Sequence, residues 1–164
     1  MYQTHQRYQM YQTRRAAASP MISELEPCRF TGSMTFEQML ERVRYEGAYP
    51  TRAQAEQCVR AVLAALGRQL TGDERVELAA RLPHEAAVSF TSEIPTTEPL
   101  TGWGFVKDLA SRTGGTMATT RWDTGTVLRV VAQLAGEDLL KRVLAQLPSG
   151  YALLFGRAEL TRAA

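Results

Sequence analysis

Apolar residues recur at the spacing of amphipathic helices along most of this chain, and nowhere do they alternate as a half-buried strand requires. Phe36, Met39, Leu40 and Val43 share one helical face, behind a Thr35-Phe36-Glu37-Gln38 phrase that fits a capping box. Gly47 and Pro50 end that segment, and Thr51-Arg52-Ala53-Gln54 opens the next with the same cap chemistry. Ala55, Val59, Val62 and Leu66 form its stripe, widened by Cys58 and Leu63. Thr71-Gly72-Asp73-Glu74 opens a third helix, with Val76, Leu78, Ala79 and Leu82 expected inward and Pro83 as its stop. A short helical turn is expected over Ala86 to Phe90.

The pattern then begins again. Residues 91–100, with Pro95 and Pro99, read as a connector. Trp103, Phe105, Val106 and Leu109 are expected inward on the next helix, which breaks at Gly114-Gly115. A long helix is expected from about Thr120 to Ala135, carrying Val127, Val130, Val131 and Leu134. Gly136 separates it from a helix over Glu137–Leu147, stopped by Pro148, and Ser149–Phe155 matches the turn after Pro83. Gly125 costs up to about 1 kcal/mol against alanine inside a helix. A late helix start is therefore favoured, the alternative being a glycine that lets something approach closely.

These parallels extend to the residues themselves. Leu78-Ala79-Ala80-Arg81-Leu82-Pro83 returns as Val143-Leu144-Ala145-Gln146-Leu147-Pro148. The same offset of 65 lays Val62-Leu63 on Val127-Leu128 and Asp73 on Asp138, while an offset of 66 lays Met39-Leu40 on Phe105-Val106. One helical unit, duplicated and packed against itself, accounts for both. The expected fold is all-α: two tandem similar units of about three to four helices each, packed as one domain, with a disordered basic N-terminal tail. The expected limits are 1–33 for tail and linker, 34–90 for the first unit, 91–100 for the connector, 101–156 for the second unit and 157–164 for a frayed end.

Composition narrows the setting. Hydrophobic residues at 45% and charged residues at 22% suit a soluble globular protein. No apolar run nears the roughly 18 residues that span a bilayer, and no apolar h-region stands at the N-terminus, so a cytoplasmic protein is expected. Cys28 and Cys58 are too few for a disulfide framework and lack C-x-x-C spacing; Cys58 falls on an apolar helix face as a small hydrophobe.

Charge separates the tail from the rest. Residues 1–20 hold Arg7, Arg14 and Arg15 and no acid, so a net charge of +2 leaves the remaining residues slightly acidic. Tyr-Gln recurs at Tyr2-Gln3, Tyr8-Gln9 and Tyr11-Gln12, with few aliphatic residues before Met21. Such a segment is expected to be disordered by itself. Three readings stay open: a partnerless tail, an arm whose arginines meet phosphates while its tyrosines stack on bases, or translation from Met10 or Met21.

The phrase from Thr35-Phe36 to Val43, then Ala55–Arg68, Leu70-Thr71-Gly72-Asp73-Glu74 and Leu78–Pro83, resembles the mostly bacterial domain-of-unknown-function family numbered 2267, common in actinobacteria. A weaker second copy ends in Leu144–Pro148 and Tyr151–Phe155, so the likeness covers about residues 34–156. It implies an all-helical tandem repeat in a soluble bacterial protein. It implies no activity, because the family carries no catalytic motif to transfer.

The residues themselves offer little chemistry. His5 and His84 cannot build a His-rich metal site, and no Cys pairs with a His at ligand spacing. No G-x-S-x-G elbow occurs; Gly102-Trp103-Gly104 lacks both the preceding strand and the third glycine of a dinucleotide fingerprint; Gly114-Gly115-Thr116 lacks a phosphate-loop lysine and suits a helix cap. Glu37, Glu41, Glu74 and Glu77 read as a solvated face. No enzyme activity, cofactor or metal is expected.

Two binding readings remain. In the first, the domain is a protein-interaction module that meets a protein partner through Trp122, Arg121 and Tyr151, with Trp103 assigned to the core. In the second, it is a nucleic-acid or ribosome-associated protein that holds RNA or a ribonucleoprotein through Arg7, Tyr8, Tyr11, Arg14 and Arg15 and a stripe of Arg52, Arg60 and Arg68. Glu41, Glu46 and Glu56 interrupt that stripe, which a mixed-charge solvated surface explains as well.

Overall fold

The computed structural model describes residues 34–158, so the tail and the last residues, with the expectations placed on them, lie outside the described residues. Eight helices make up the described part, with no strand among them: α1 Phe36–Glu46, α2 Arg52–Gly67, α3 Gly72–Arg81, α4 His84–Thr91, α5 Gly102–Thr113, α6 Met117–Ala135, α7 Glu137–Gln146 and α8 Tyr151–Leu154. The fold is all-α.

Threonine caps set the starts of the long helices. Thr35 Oγ1 accepts the Gln38 N–H at 3.2 Å while Gln38 Oε1 accepts the Thr35 N–H at 3.0 Å, the reciprocal box that the sequence spells. Thr51 and Thr101 cap α2 and α5 through the Gln54 and Gly104 N–H groups. Thr116 and Thr119 form a second reciprocal box, which starts α6 at Met117 and runs it through Gly125. The expected late start is therefore corrected. A Cβ on Gly125 would meet only the Leu154 carbonyl oxygen, at 3.9 Å, so no close approach requires this glycine either.

The core is built on α2 and α6, which pack against each other. Val59, Val62, Leu63 and Leu66 from α2 and Val127, Leu128, Val130 and Val131 from α6 are all essentially inaccessible to water. A central helix must be apolar on several sides, which is why both carry widened stripes. Around this pair, α1 packs on α2 and α6, and α5 packs on α6 and α2. In the same way α4 lies on α2 and α8 on α6, while α3 and α7 pack together. Exchanging α1–α4 with α5–α8 thus reproduces most of the packing. Two side-chain contacts join residues 65 apart: Cys58 Sγ with the Asp123 carbonyl oxygen, and Arg142 Nη2 with Glu77 Oε2 at 2.6 Å.

Two expectations about facing are also corrected. Val76 is 70% exposed, because Leu78 is the one fully buried residue of α3 and Val76 projects from the opposite side. Trp103 is 66% exposed, whereas Phe105, Val106 and Leu109 are buried as expected.

The connector is tied down. The Thr96 N–H donates to the Arg68 carbonyl oxygen at 2.8 Å, and the Leu100 N–H to Gln69 Oε1 at 2.7 Å. Arg75 donates to the carbonyl oxygens of Gly67 and Glu93, closing the end of α2 against the connector.

At that end a Cβ on Gly67 would lie 1.8 Å from the Phe90 carbonyl oxygen, so only glycine lets α2 and α4 meet. Gly67→Ala is expected to cost about 3 kcal/mol by overpacking. Gly125→Ala, whose Cβ would meet nothing closer than 3.9 Å, is expected to stabilise by up to about 1 kcal/mol through helix propensity. Urea denaturation of the two variants beside the parent checks both signs.

Candidate functional site

Two surfaces combine shape with chemistry. One is a cleft beside the turn between α1 and α2; the other is an apolar groove where the starts of α5, α6 and α8 meet.

The first begins with a helix end. The Ala48 N–H donates to the Tyr45 carbonyl oxygen and the Tyr49 N–H to the Arg44 carbonyl oxygen, the paired bonds of a Schellman motif. Its left-handed position is held by Ala48, at φ 54°, and not by the neighbouring glycine. Gly47 is needed for another reason: a Cβ there would stand 2.2 Å from Cε2 of Tyr49, whose ring folds back over it. This turn delivers the Tyr49 hydroxyl to Asp123 on α6, where it donates to Oδ1 at 2.5 Å. Trp122 Nε1 donates to the Gly47 carbonyl oxygen at 3.2 Å, so adjacent residues of α6 hold both ends of one turn.

Cys58 Sγ lies 3.3 Å from the Tyr49 hydroxyl oxygen. Tyr49, Cys58 and Asp123 line a cleft of about 390 Å³, closed by Pro50, Gln57 and Leu109. Burial, before any other cause, pushes the Cys58 thiol up to about 12, and the Asp123 carboxylate adds to the rise. Burial likewise raises the Tyr49 phenol, reinforced by its bond to Asp123. Both groups stay protonated at neutral pH. The thiol is therefore held in its weakly nucleophilic form, and the trio acts as a clasp between the turn and α6.

The second surface is lined by Trp103, Val106, Met117, Arg121, Leu153 and Leu154 around a volume of about 430 Å³. Its floor depends on two glycines. A Cβ on Gly102 would lie 2.5 Å from the Gly150 carbonyl carbon, and the Gly102 N–H donates to the Ser149 carbonyl oxygen at 2.9 Å. This close approach joins the starts of α5 and α8 and places Trp103 beside Leu153. Trp103, Met117 and Leu153 are all exposed, which is unusual for side chains of this size standing together. Lys107 Nζ sits 5.0 Å from the centre of the Trp103 ring, a cation–π distance.

The three residues expected to meet a partner are not brought to one place. Arg121 is exposed and lines the groove. Trp122, 54% exposed, faces the α1–α2 turn instead. Tyr151 is 1% exposed and packs edge-on against Phe105 at 5.5 Å, with burial raising its phenol, so it supports the groove from beneath. Trp103 takes the place in the groove that the sequence assigned to others. The signal was present: the offset of 66 lays Trp103 on Glu37, an exposed position.

The basic stripe is broken up by pairing. Arg52 meets Glu37 at 3.4 Å, Arg60 meets Glu56 at 2.7 Å, and Arg68 lies between Glu93 and Asp108 at 3.5 and 3.4 Å. Arg68 is also largely covered, its side chain only 15% exposed. Arg7, Tyr8, Tyr11, Arg14 and Arg15 lie outside the described residues. Among the described residues no three His, Cys, Asp or Glu side chains gather as a metal site, and no helix is long and apolar enough to cross a membrane.

An all-helical domain with one clasped cleft and one open apolar groove is the class of object defined so far. Residues 36–154 match the family described as "Uncharacterized conserved protein (DUF2267)", and the chain belongs to that family. No curated protein matches the chain.

Two outcomes are expected at the clasp. Ala48→Gly should stabilise by about 1 kcal/mol by removing left-handed strain, whereas Gly47→Ala should destabilise by displacing the Tyr49 ring; thermal melts compare them. Because the folded pKa of Cys58 is raised, its contribution is complete below the unfolded thiol value of 9.0 and drains away as pH climbs toward about 12. The raised Tyr49 phenol acts in the same direction above its unfolded value of 10.0. Stability should therefore fall above pH ~9, by up to about 1.4 kcal/mol per pH unit for the Cys58 thiol, with the half-exposed Tyr49 phenol adding in the same sense at higher pH. A Cys28→Ser protein should react with iodoacetamide at pH 8 at least about ten-fold more slowly than an ordinary thiol. A normal alkylation rate would remove this account of the clasp.

Proposed function

We propose that the domain is a non-enzymatic protein-interaction module, working in the cytoplasm of a bacterium, and that the groove at the starts of α5, α6 and α8 receives its partner. The observation that carries this reading is the exposed trio Trp103, Met117 and Leu153 around a concave floor. Tryptophan and methionine are enriched where proteins meet, and exposed apolar groups that flank a groove favour a protein surface over a solvated one. The likeness between α1–α4 and α5–α8 supports a duplicated scaffold, in which the second half has acquired a binding surface. The neutral, partly buried thiol of Cys58 fits a structural part better than a catalytic one.

A second reading keeps the acid-free Arg and Tyr tail as a nucleic-acid arm. The pairing of Arg52, Arg60 and Arg68 with carboxylates leaves that reading resting on the tail alone.

A photo-crosslinking residue at position 153 is expected to capture one discrete protein from the source cell, and the same residue at position 76 is not. Trp103→Ser should abolish the capture while changing stability by less than about 1 kcal/mol, since the ring is mostly solvated. Equal capture from both positions would sink the groove as the binding surface. Gradient sedimentation with and without nuclease, for the full chain and one starting at Met21, tests the alternative. Tail-dependent, salt-sensitive migration with heavy particles would favour nucleic acid.

A further inference from the structure

The groove has a counterpart, and the two differ in chemistry. At the start of α1 a second concavity, about 870 Å³, is lined by Glu37, Leu40, Arg52, Glu56, Arg60 and Glu85. The offset of 66 for the first helix and 65 beyond it lays these positions onto the groove: Glu37 on Trp103, Leu40 on Val106, Arg52 on Met117, Glu56 on Arg121 and Glu85 on Gly150. In the first concavity the charges satisfy one another. Glu37 pairs with Arg52, Glu56 pairs with Arg60, and the Arg60 guanidinium covers the Phe36 ring at 5.3 Å. In the second, the ion pair Glu37–Arg52 is replaced by the apolar pair Trp103 and Met117, and an acid is replaced by Arg121.

That exchange leaves the groove apolar in its floor, with Arg121 in its lining and Lys107 just outside it, over the Trp103 ring. Neither Lys107 nor Arg121 has a carboxylate at ion-pair distance among the described residues, although most arginines of the fold do. The acids carried by α5 and α6 are committed elsewhere. Asp108 holds Arg68 and Arg112, and Asp123 receives the Tyr49 hydroxyl. No negative group of these helices is left to answer the two cations, so an incoming segment would have to supply it.

We infer that the groove takes an acidic amphipathic segment of a partner protein, its apolar side chains between Trp103 and Leu153 and its carboxylates on Lys107 and Arg121. The inference rests on the reading of the groove as a docking surface and adds the chemistry of the occupant. A peptide helix with apolar residues every three or four positions presents such a stripe, with room for acids on both flanks. A basic segment is disfavoured by the same two cations, so the charge also discriminates between partners.

The test is selection from a library of random 16-residue peptides displayed on phage, against the full chain, with Trp103→Ser and Arg121→Glu/Lys107→Glu proteins selected in parallel. Circular dichroism confirms that each variant is folded, as expected for exposed positions. Enriched peptides should combine apolar residues at helical spacing with Glu or Asp. Synthetic copies should lose at least ten-fold in affinity on the charge-reversed protein and weaken as salt rises from 50 to 500 mM. The charge-reversed protein should select Lys- or Arg-bearing peptides in their place. Apolar peptides with no acidic bias, lost on Trp103→Ser, would overturn the acidic assignment and leave the docking surface standing. No enrichment, or peptides bound equally by Trp103→Ser, would overturn both.

Discussion

Everything in this structure follows from burying α2 and α6 against each other. Each buries side chains on several sides along its second half, Val59 to Leu66 and Val127 to Ala132, and must be wrapped there by neighbours. The surrounding helices satisfy that demand from both halves of the chain, α1 and α5 each touching both central helices. A half taken alone would leave one central helix with a bare face. The two halves are therefore joined by necessity and not merely by the connector. Glycine lets backbones come closer than any side chain allows at Gly67, where α2 meets α4, and at Gly102, where the start of α5 meets Gly150.

Much of this was legible in residues. Thr35 and Gln38 spell a cap and make one; Val59, Val62, Val127 and Val131 fall where their spacing puts them. What escaped was of two kinds. The start of α6 is written in Thr116 and Thr119, a cap with threonine where glutamate or glutamine is customary, in a stretch whose threonines and Gly125 argue against helix. Facing errors arose at Val76 and Trp103, apolar residues at helix flanks where periodicity alone gives an ambiguous direction. For Trp103 the register between the halves was the better guide, since its counterpart Glu37 must face water.

The site was less legible than the fold, because its parts come from distant segments. No local pattern announces that Tyr49 reaches Asp123, or that Trp103 and Leu153 share a groove. Both depend on backbone details. In the first, a left-handed alanine is accepted so that a glycine can sit under the Tyr49 ring. In the second, two glycines face each other so that the starts of α5 and α8 can touch. The chain uses its permissive residues for contact, and takes strain where contact is not at stake.

The ion pair between Glu77 and Arg142 joins two positions that the offset between the halves makes equivalent. Were the halves related by a two-fold axis, a contact between aligned positions would lie on that axis. Two identical halves would have to place like beside like there, as every symmetric dimer does. A first half meeting another first half in this register would set Glu77 against Glu77, and a second meeting a second would set Arg142 against Arg142. Only unlike halves bring the charges into attraction. One exposed pair is worth little as a source of stability, yet its charges are opposite at positions the offset aligns, so the likeness between α1–α4 and α5–α8 is broken there in the sense that attracts.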